Sequence, residues 1–147
     1  MSRDPSDMPD PVAIDVESRM GVIDEGDCVE LIKSTPIGRI GFMSEGSPLV
    51  LPVNFAWHDG AIFFRTLEGQ KLAAASTGQL VCFEVDHWDE TERSGWSVVL
   101  RGAACEVTDW AEKEQLEQIG LVPWSKAKWR PLWVRVEPAE ITGRVLR

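Results

Sequence analysis

The chain has no tyrosine, only two histidines and three cysteines, and too little positive charge to balance its acids. Each shortage narrows what it can be. His58 and His87 are far apart and have no cysteine at ligand spacing, which argues against a zinc site. Cys28, Cys82 and Cys105 are odd in number, form no CxxC and sit in apolar surroundings. They read as buried, inert thiols rather than a redox pair or metal ligands. Lys and Arg number 15 against 24 Asp and Glu, a formal net charge of −9 at pH 7. That sign disfavours nucleic acid and anionic membrane surfaces, both of which attract a positive field. No apolar run approaches the roughly 20 residues that span a bilayer. The opening MSRDPSDMPDPVAID has neither the basic nor the apolar region of a signal peptide, so a cytoplasmic location is expected.

What remains is an ordinary soluble composition in 147 residues, enough for one domain with a real core. Residues 1–20, rich in Pro, Asp and Ser and without hydrophobic period, read as a flexible N-terminal arm, and 21–147 as the folded domain. Asp24 caps a short helix whose apolar face includes Val29, Leu31 and Ile32, stopped by Pro36. Strands follow: Gly38 to Ser44, the turn SEGSP, Leu49 to Trp57, the hairpin signal HDG, and AIFFRT. QLVCFEVD alternates apolar and polar residues, WSVVLRGAACEV makes another strand, and DWAEKEQLEQIG is a helix capped by Asp109 and closed by Gly120. LWVRVEPAEITGRVL closes the chain as a strand. Six or so strands with little helix predict a mainly β fold, an antiparallel β-barrel with peripheral helices. A doubly wound α/β sheet is the competing arrangement. It needs a crossover helix between strands, and the turns between Gly38 and Thr66 are too short for one.

Seven tryptophans supply flat apolar surface in place of the missing tyrosines. Trp57, Trp110 and Trp133 read as structural, while Trp96 and Trp124 are candidates for either core or a ligand wall. The stretch IFFRTLEGQKLAAAS is unusual for an acidic chain: a strand ends in Arg65 and Thr66, Gly69 permits a turn, and Lys71 opens a helix. An arginine fork, a lysine point charge, a hydroxyl and helix N–H groups together suit a phosphate dianion. The other reading leaves Arg65 as a strand-end surface cation and Lys71 paired with Glu68 in solvent.

The order PIGRIGF, PLVLPVNFAW, this strand–turn–helix, GWSVVLRGAACEV and WVRVEPAEITGR resembles the pyridoxamine 5′-phosphate oxidase-like family, flavin-binding split barrels, in particular its short bacterial branch. The resemblance runs from about Asp24 to Arg144 and implies an FMN-binding type of split β-barrel. It implies Arg65, Thr66 and Lys71 as ligands of the FMN phosphate. Pro52, Val53 and Asn54 would lie along the ring, with Ser97 facing the cofactor and Trp96 beside it. It also implies a homodimer with a flavin site at each interface, covered by PWSKAKWR, which includes Trp124, Lys126, Trp129 and Arg130. The implied activity is an oxidoreductase drawing electrons from a nicotinamide nucleotide and acting on a small planar substrate. Relatives that use a deazaflavin or bind haem keep those cofactors open, with His58 as a possible haem ligand or proton donor. A non-catalytic flavin- or haem-binding protein is the alternative class. The longer vitamin oxidases grip a substrate phosphate through further basic positions, and only the scattered Arg39, Arg93 and Arg101 stand in this chain. No pair of carboxylates is spaced as an acid–base set, which suits chemistry carried by a cofactor.

Overall fold

The computed structural model describes residues 3–67, 70–121 and 132–147. Among the described residues nine strands and three helices follow in the order β1 (Ala13–Ile14), β2 (Met20–Ile23), α1 (Glu25–Lys33), β3 (Ile37–Ser44), β4 (Ser47–Asn54), β5 (Ala56–His58), β6 (Ala61–Thr66), α2 (Lys71–Ala75), β7 (Thr77–Asp89), β8 (Ser94–Glu106), α3 (Trp110–Gln118) and β9 (Leu132–Leu146). Every paired ladder is antiparallel. The sheet runs β1-β2-β9-β8-β7-β3-β4, and β6 joins it by pairing with both β5 and β9. The doubly wound alternative is thereby excluded.

Local chemistry sets the corners. At the β3–β4 hairpin Glu45 and Gly46 have φ of 51° and 77°, and at the β5–β6 hairpin Asp59 and Gly60 have 48° and 76°. Left-handed residues at both central positions match the twist of the flanking strands, so each two-residue loop fixes its register. The sequence reading made one strand of Leu49 to Trp57; the structure divides it. Phe55 leaves the ladder, donates its N–H to Pro36 O at 3.3 Å, and buries its ring edge-to-face on Phe83 at 4.7 Å. At that corner the chain passes from pairing with β3 to pairing with β6. Among the described residues no ladder joins β4 to β6, and the barrel is split along that seam.

The main core fills the barrel with, among others, Ile40, Phe64, Phe83, Val85, Trp96, Leu100 and Val134. α1 plugs one end with Cys28, Leu31 and Ile32, its Asp24 cap accepting from Asp27 N at 2.8 Å. A second cluster under α3 joins Phe63, Val107, Leu116 and Trp133. One expectation changes here. Cys28 is buried, but Cys82 is exposed, because strand alternation turns it to the outer face opposite Val81 and Phe83. The stretch expected to be a flexible arm carries β1, which pairs with β2, and its described part lies against the domain. Trp96 Nε1 donates to Pro5 O at 2.6 Å, and Arg147 Nη2 donates to Pro9 O at 2.9 Å. Among the described residues no helix is long and apolar enough to cross a membrane.

Candidate functional site

Among the described residues none fills the seam between β4 and β6. It opens as a cleft of about 430 Å³ lined by Leu49, Leu51, Pro52, Val53, Arg65, Thr66, Gln70, Lys71 and Leu72. Edge strand β4 forms one wall, the end of β6 the other, and the start of α2 the floor. The cleft is within the size range of small-molecule sites and combines apolar wall with a few polar groups. Leu49, Leu51 and Val53 reach it from the core-facing side of β4. Lys71 is exposed, and among the described residues no hydrogen bond or ion pair engages its ammonium.

Five residues named from sequence therefore meet at one cleft: Pro52, Val53, Arg65, Thr66 and Lys71. Their arrangement differs from a three-pronged grip. Arg65 and Thr66 are consecutive on a strand, so their side chains leave by opposite faces. Thr66 turns inward and is buried, 2% exposed. Arg65 turns toward α3, where Nη2 lies 3.1 Å from Glu117 Oε1 and the guanidinium stacks 4.7 Å over the Trp133 ring. Glu117 in turn accepts from Trp133 Nε1 at 3.0 Å. The helix also contributes less than expected. α2 has five residues and no side-chain cap at Gln70.

Other named residues lie elsewhere. Trp96 is fully buried in the barrel core, its indole satisfied by the Pro5 carbonyl, and does not reach the cleft. Asn54 is half-buried at the end of β4, opposite Ile37, just beyond the cleft wall. Ser97 is on the outer face of β8, between Asp86 and Arg144, and β7 and β3 separate it from β4. Within one chain it cannot touch a group in the seam. His58 packs edge-to-face on Phe63 at 5.9 Å. Glu68, Gly69, Trp124, Lys126, Trp129 and Arg130 lie outside the described residues. Sequence reasoning missed Leu49, Leu51, Gln70 and Leu72, whose only signal was proximity to named residues, and Glu117, for which no local pattern pointed to Arg65.

A second polar cluster stands on the outer face of β3 and β7. Arg39 Nη2 is 2.5 Å from Asp86 Oδ1 and 3.3 Å from Glu84 Oε1. The latter contact lacks the alignment of a hydrogen bond, and Glu84 Oε1 is buried without one. Burial, with a hydrogen bond to Asp86 and repulsion from it, pushes the Glu84 carboxyl up to about 7, and Arg39 offsets only part of this. Burial also pushes Asp86 upward, but hydrogen bonds with Glu84, Arg39 and Trp88 outweigh it and hold Asp86 below the usual carboxylate range. The pair keeps its proton on Glu84. The folded chain therefore binds more protons than the unfolded one between the ordinary Glu value of 4.5 and about 7, so stability falls as pH rises through that window. Glu84→Gln, neutral and still a donor to Asp86, should match the parent near pH 4. At pH 8 it should exceed it by about 1 kcal/mol, a figure discounted for partial exposure. Thermal unfolding at both pH values reads this, and equal stability at pH 8 contradicts the shared proton.

An antiparallel barrel split along one seam, with a cationic, apolar-walled cleft in the split, is the architecture of flavin-binding split-barrel proteins. The chain belongs to the pyridoxamine 5′-phosphate oxidase family, whose model matches residues 24–145. The structure is similar to that of the FAD binding protein from Mycobacterium smegmatis, with 36% identity, 86% of this chain and 98% of that chain covered, and a TM-score of 0.74. A conserved protein of unknown function from Corynebacterium diphtheriae is 30% identical, with 88% and 99% coverage and a TM-score of 0.72. An uncharacterised protein of Mycobacterium tuberculosis is 32% identical over 126 residues, 82% of each chain.

Proposed function

We propose that this chain is a flavin-dependent oxidoreductase that works as a homodimer, with the flavin lying in the β4–β6 seam. The observation that carries the reading is the cleft's polarity: an aliphatic wall of Leu49, Leu51 and Val53 leads to a cation without a partner among the described residues, Lys71. A flavin has the same order, a flat ring and then a polyol ending in phosphate. FMN and FAD share that phosphate. The flavin-binding name of the Mycobacterium smegmatis relative supports the class.

The residues would divide the work as follows. Lys71 neutralises the phosphate, and the buried Thr66 beside it offers a hydroxyl. Glu117 and Trp133 hold Arg65 at the cleft rim, where its charge adds to the field without the side chain swinging free. Among the described residues β4 ends the sheet, so its outer edge has main-chain groups that no described ladder uses, facing the seam where a ring's polar margin seeks partners. Leu49, Leu51 and Val53 keep water from one face of the ring. Two strands, β7 and β3, stand between Ser97 and β4, and in this reading a second copy of the chain would bring Ser97 to the cofactor. Bound flavin supplies the hydride and electron transfer.

A nicotinamide nucleotide is the donor in this reading, and a small planar molecule the acceptor. The purified protein should show flavin absorption or take up added flavin stoichiometrically, and should oxidise NADH or NADPH with an artificial acceptor faster than the same concentration of free flavin. A colourless protein that binds no flavin overturns the cofactor assignment. Binding without turnover above free flavin overturns the enzymatic one and leaves a carrier.

A further inference from the structure

Arg65 meets the cleft with an anion already in its grasp. Its Nη2 is 3.1 Å from Glu117 Oε1, and its Nη1 donates to Glu117 Oε2 at 3.4 Å. Both nitrogens of the fork therefore face both oxygens of one carboxylate, the same two-point pairing by which an arginine takes a phosphate. We propose that Glu117 stands in for a ligand's phosphate at Arg65, and that this competition sets how strongly the seam prefers a phosphorylated flavin over an unphosphorylated one. The inference rests on the flavin reading above and adds the residue that tunes it.

Exposure separates the fixed partner from the exchangeable one. The Arg65 side chain is 18% exposed and that of Glu117 is 55% exposed. Trp133, directly opposite Arg65 in the β6–β9 ladder, covers one face of the guanidinium. The cation is thus set by its strand and by an aromatic face, while its carboxylate partner looks out to solvent. An ion pair so open to water holds weakly, and an incoming dianion competes for the same N–H groups.

α3 does not need this pair to stay docked. Leu116 is buried with Phe63, Val107 and Trp133, and Arg135 Nη1 donates to Glu112 Oε1 at 2.7 Å. Asp109 caps the helix by accepting from Glu112 N at 3.0 Å. Glu117 can leave the fork while the rest of the helix keeps its place. The charge balance then changes at the cleft. Arg65 and Lys71 both line it, and Glu117 cancels one of those two positive charges. Lys71 meets a phosphate at full charge, whereas Arg65 does so only by giving up its carboxylate. Riboflavin makes no demand on the fork, so Glu117 acts on phosphorylated ligands alone.

The test titrates the whole protein, stripped of flavin, with FMN and with riboflavin, for the parent, Glu117→Gln, Arg65→Ala and the double variant. Glutamine keeps an oxygen for Trp133 Nε1 and removes the charge. Glu117→Gln should bind FMN about tenfold more tightly than the parent, the return of one charge-assisted hydrogen bond no longer contested, and riboflavin equally well. The effect runs through Arg65, so Arg65→Ala should cost about tenfold more FMN affinity in the Glu117→Gln background than in the parent. Inorganic phosphate should raise the unfolding midpoint of Glu117→Gln more than that of the parent. A purely structural role would move FMN and riboflavin together. An unchanged ratio of the two affinities, or a fall in FMN affinity in Glu117→Gln, overturns the competition while the flavin reading stands. Failure of the parent and every variant to bind flavin overturns both.

Discussion

Lys71→Ala should lower affinity for FMN by about 10- to 100-fold and leave riboflavin, which lacks the phosphate, nearly unchanged. The magnitude is that of one charge-assisted hydrogen bond, about 1.5–3 kcal/mol. The specificity comes from geometry. Lys71 is the lining cation that no described residue engages, so a phosphate would be its first strong partner. Arg65 is differently placed, since a phosphate would share its guanidinium with Glu117 and the Trp133 face. Arg65→Ala should therefore cost stability through the α3 contact as well as some affinity, whereas Lys71→Ala should leave the unfolding midpoint close to the parent's. Because the interaction is ionic and exposed, the gap between FMN and riboflavin should narrow as salt rises. Isothermal titration at two ionic strengths measures the affinities, and thermal unfolding of the two variants measures the midpoints. Equal losses for FMN and riboflavin, or a larger FMN loss in Arg65→Ala, would move the phosphate away from Lys71.

The contrast between these two cations shows how far sequence reasoning reaches. Strands and turns were legible because they are local: β9 spans the residues its alternation marked, and the SEGSP and HDG turns became two-residue hairpins. The split of β4 from β5 was not legible, because it depends on Phe55 finding Phe83 across the barrel. Motif order identified the stretch from Arg65 to Lys71 as a place of interest, and the cleft does run along it. Which way each side chain turns was set by partners distant in sequence. Glu117 is 52 residues beyond Arg65, and Trp96 was drawn into the core, its indole meeting the carbonyl of Pro5, 91 residues away. Glu84 is the same lesson in electrostatics. Its carboxyl looks like an outward position on an alternating strand, and only the cross-strand Arg39 and the neighbouring Asp86 make it a shared-proton site.

Phe83→Ala is expected to be the most destabilising single change considered for this chain, at about 3–5 kcal/mol, the range for a buried aromatic truncated in a core. The ring is 1% exposed and meets Phe55 edge-to-face with an interplanar angle of 71°. It also lies over Gly38, where an added Cβ would run into the ring. Three strands thus converge on one side chain: β7 supplies it, β3 makes room with a glycine, and the β4–β5 corner leans on it through Phe55. Removing the ring leaves a cavity beneath the corner that ends the seam, so the unfolding midpoint should fall by on the order of 10 °C. A double-mutant cycle separates this specific fit from mere hydrophobicity. Gly38→Ala alone should destabilise because its methyl and the ring claim the same space, but in the Phe83→Ala background the methyl enters the vacated volume and most of that penalty should disappear. The coupling should be at least about 1 kcal/mol, since the two positions are in contact. Additive losses would mean that the ring does not rest on Gly38, and that something other than this contact sets the corner where the barrel opens.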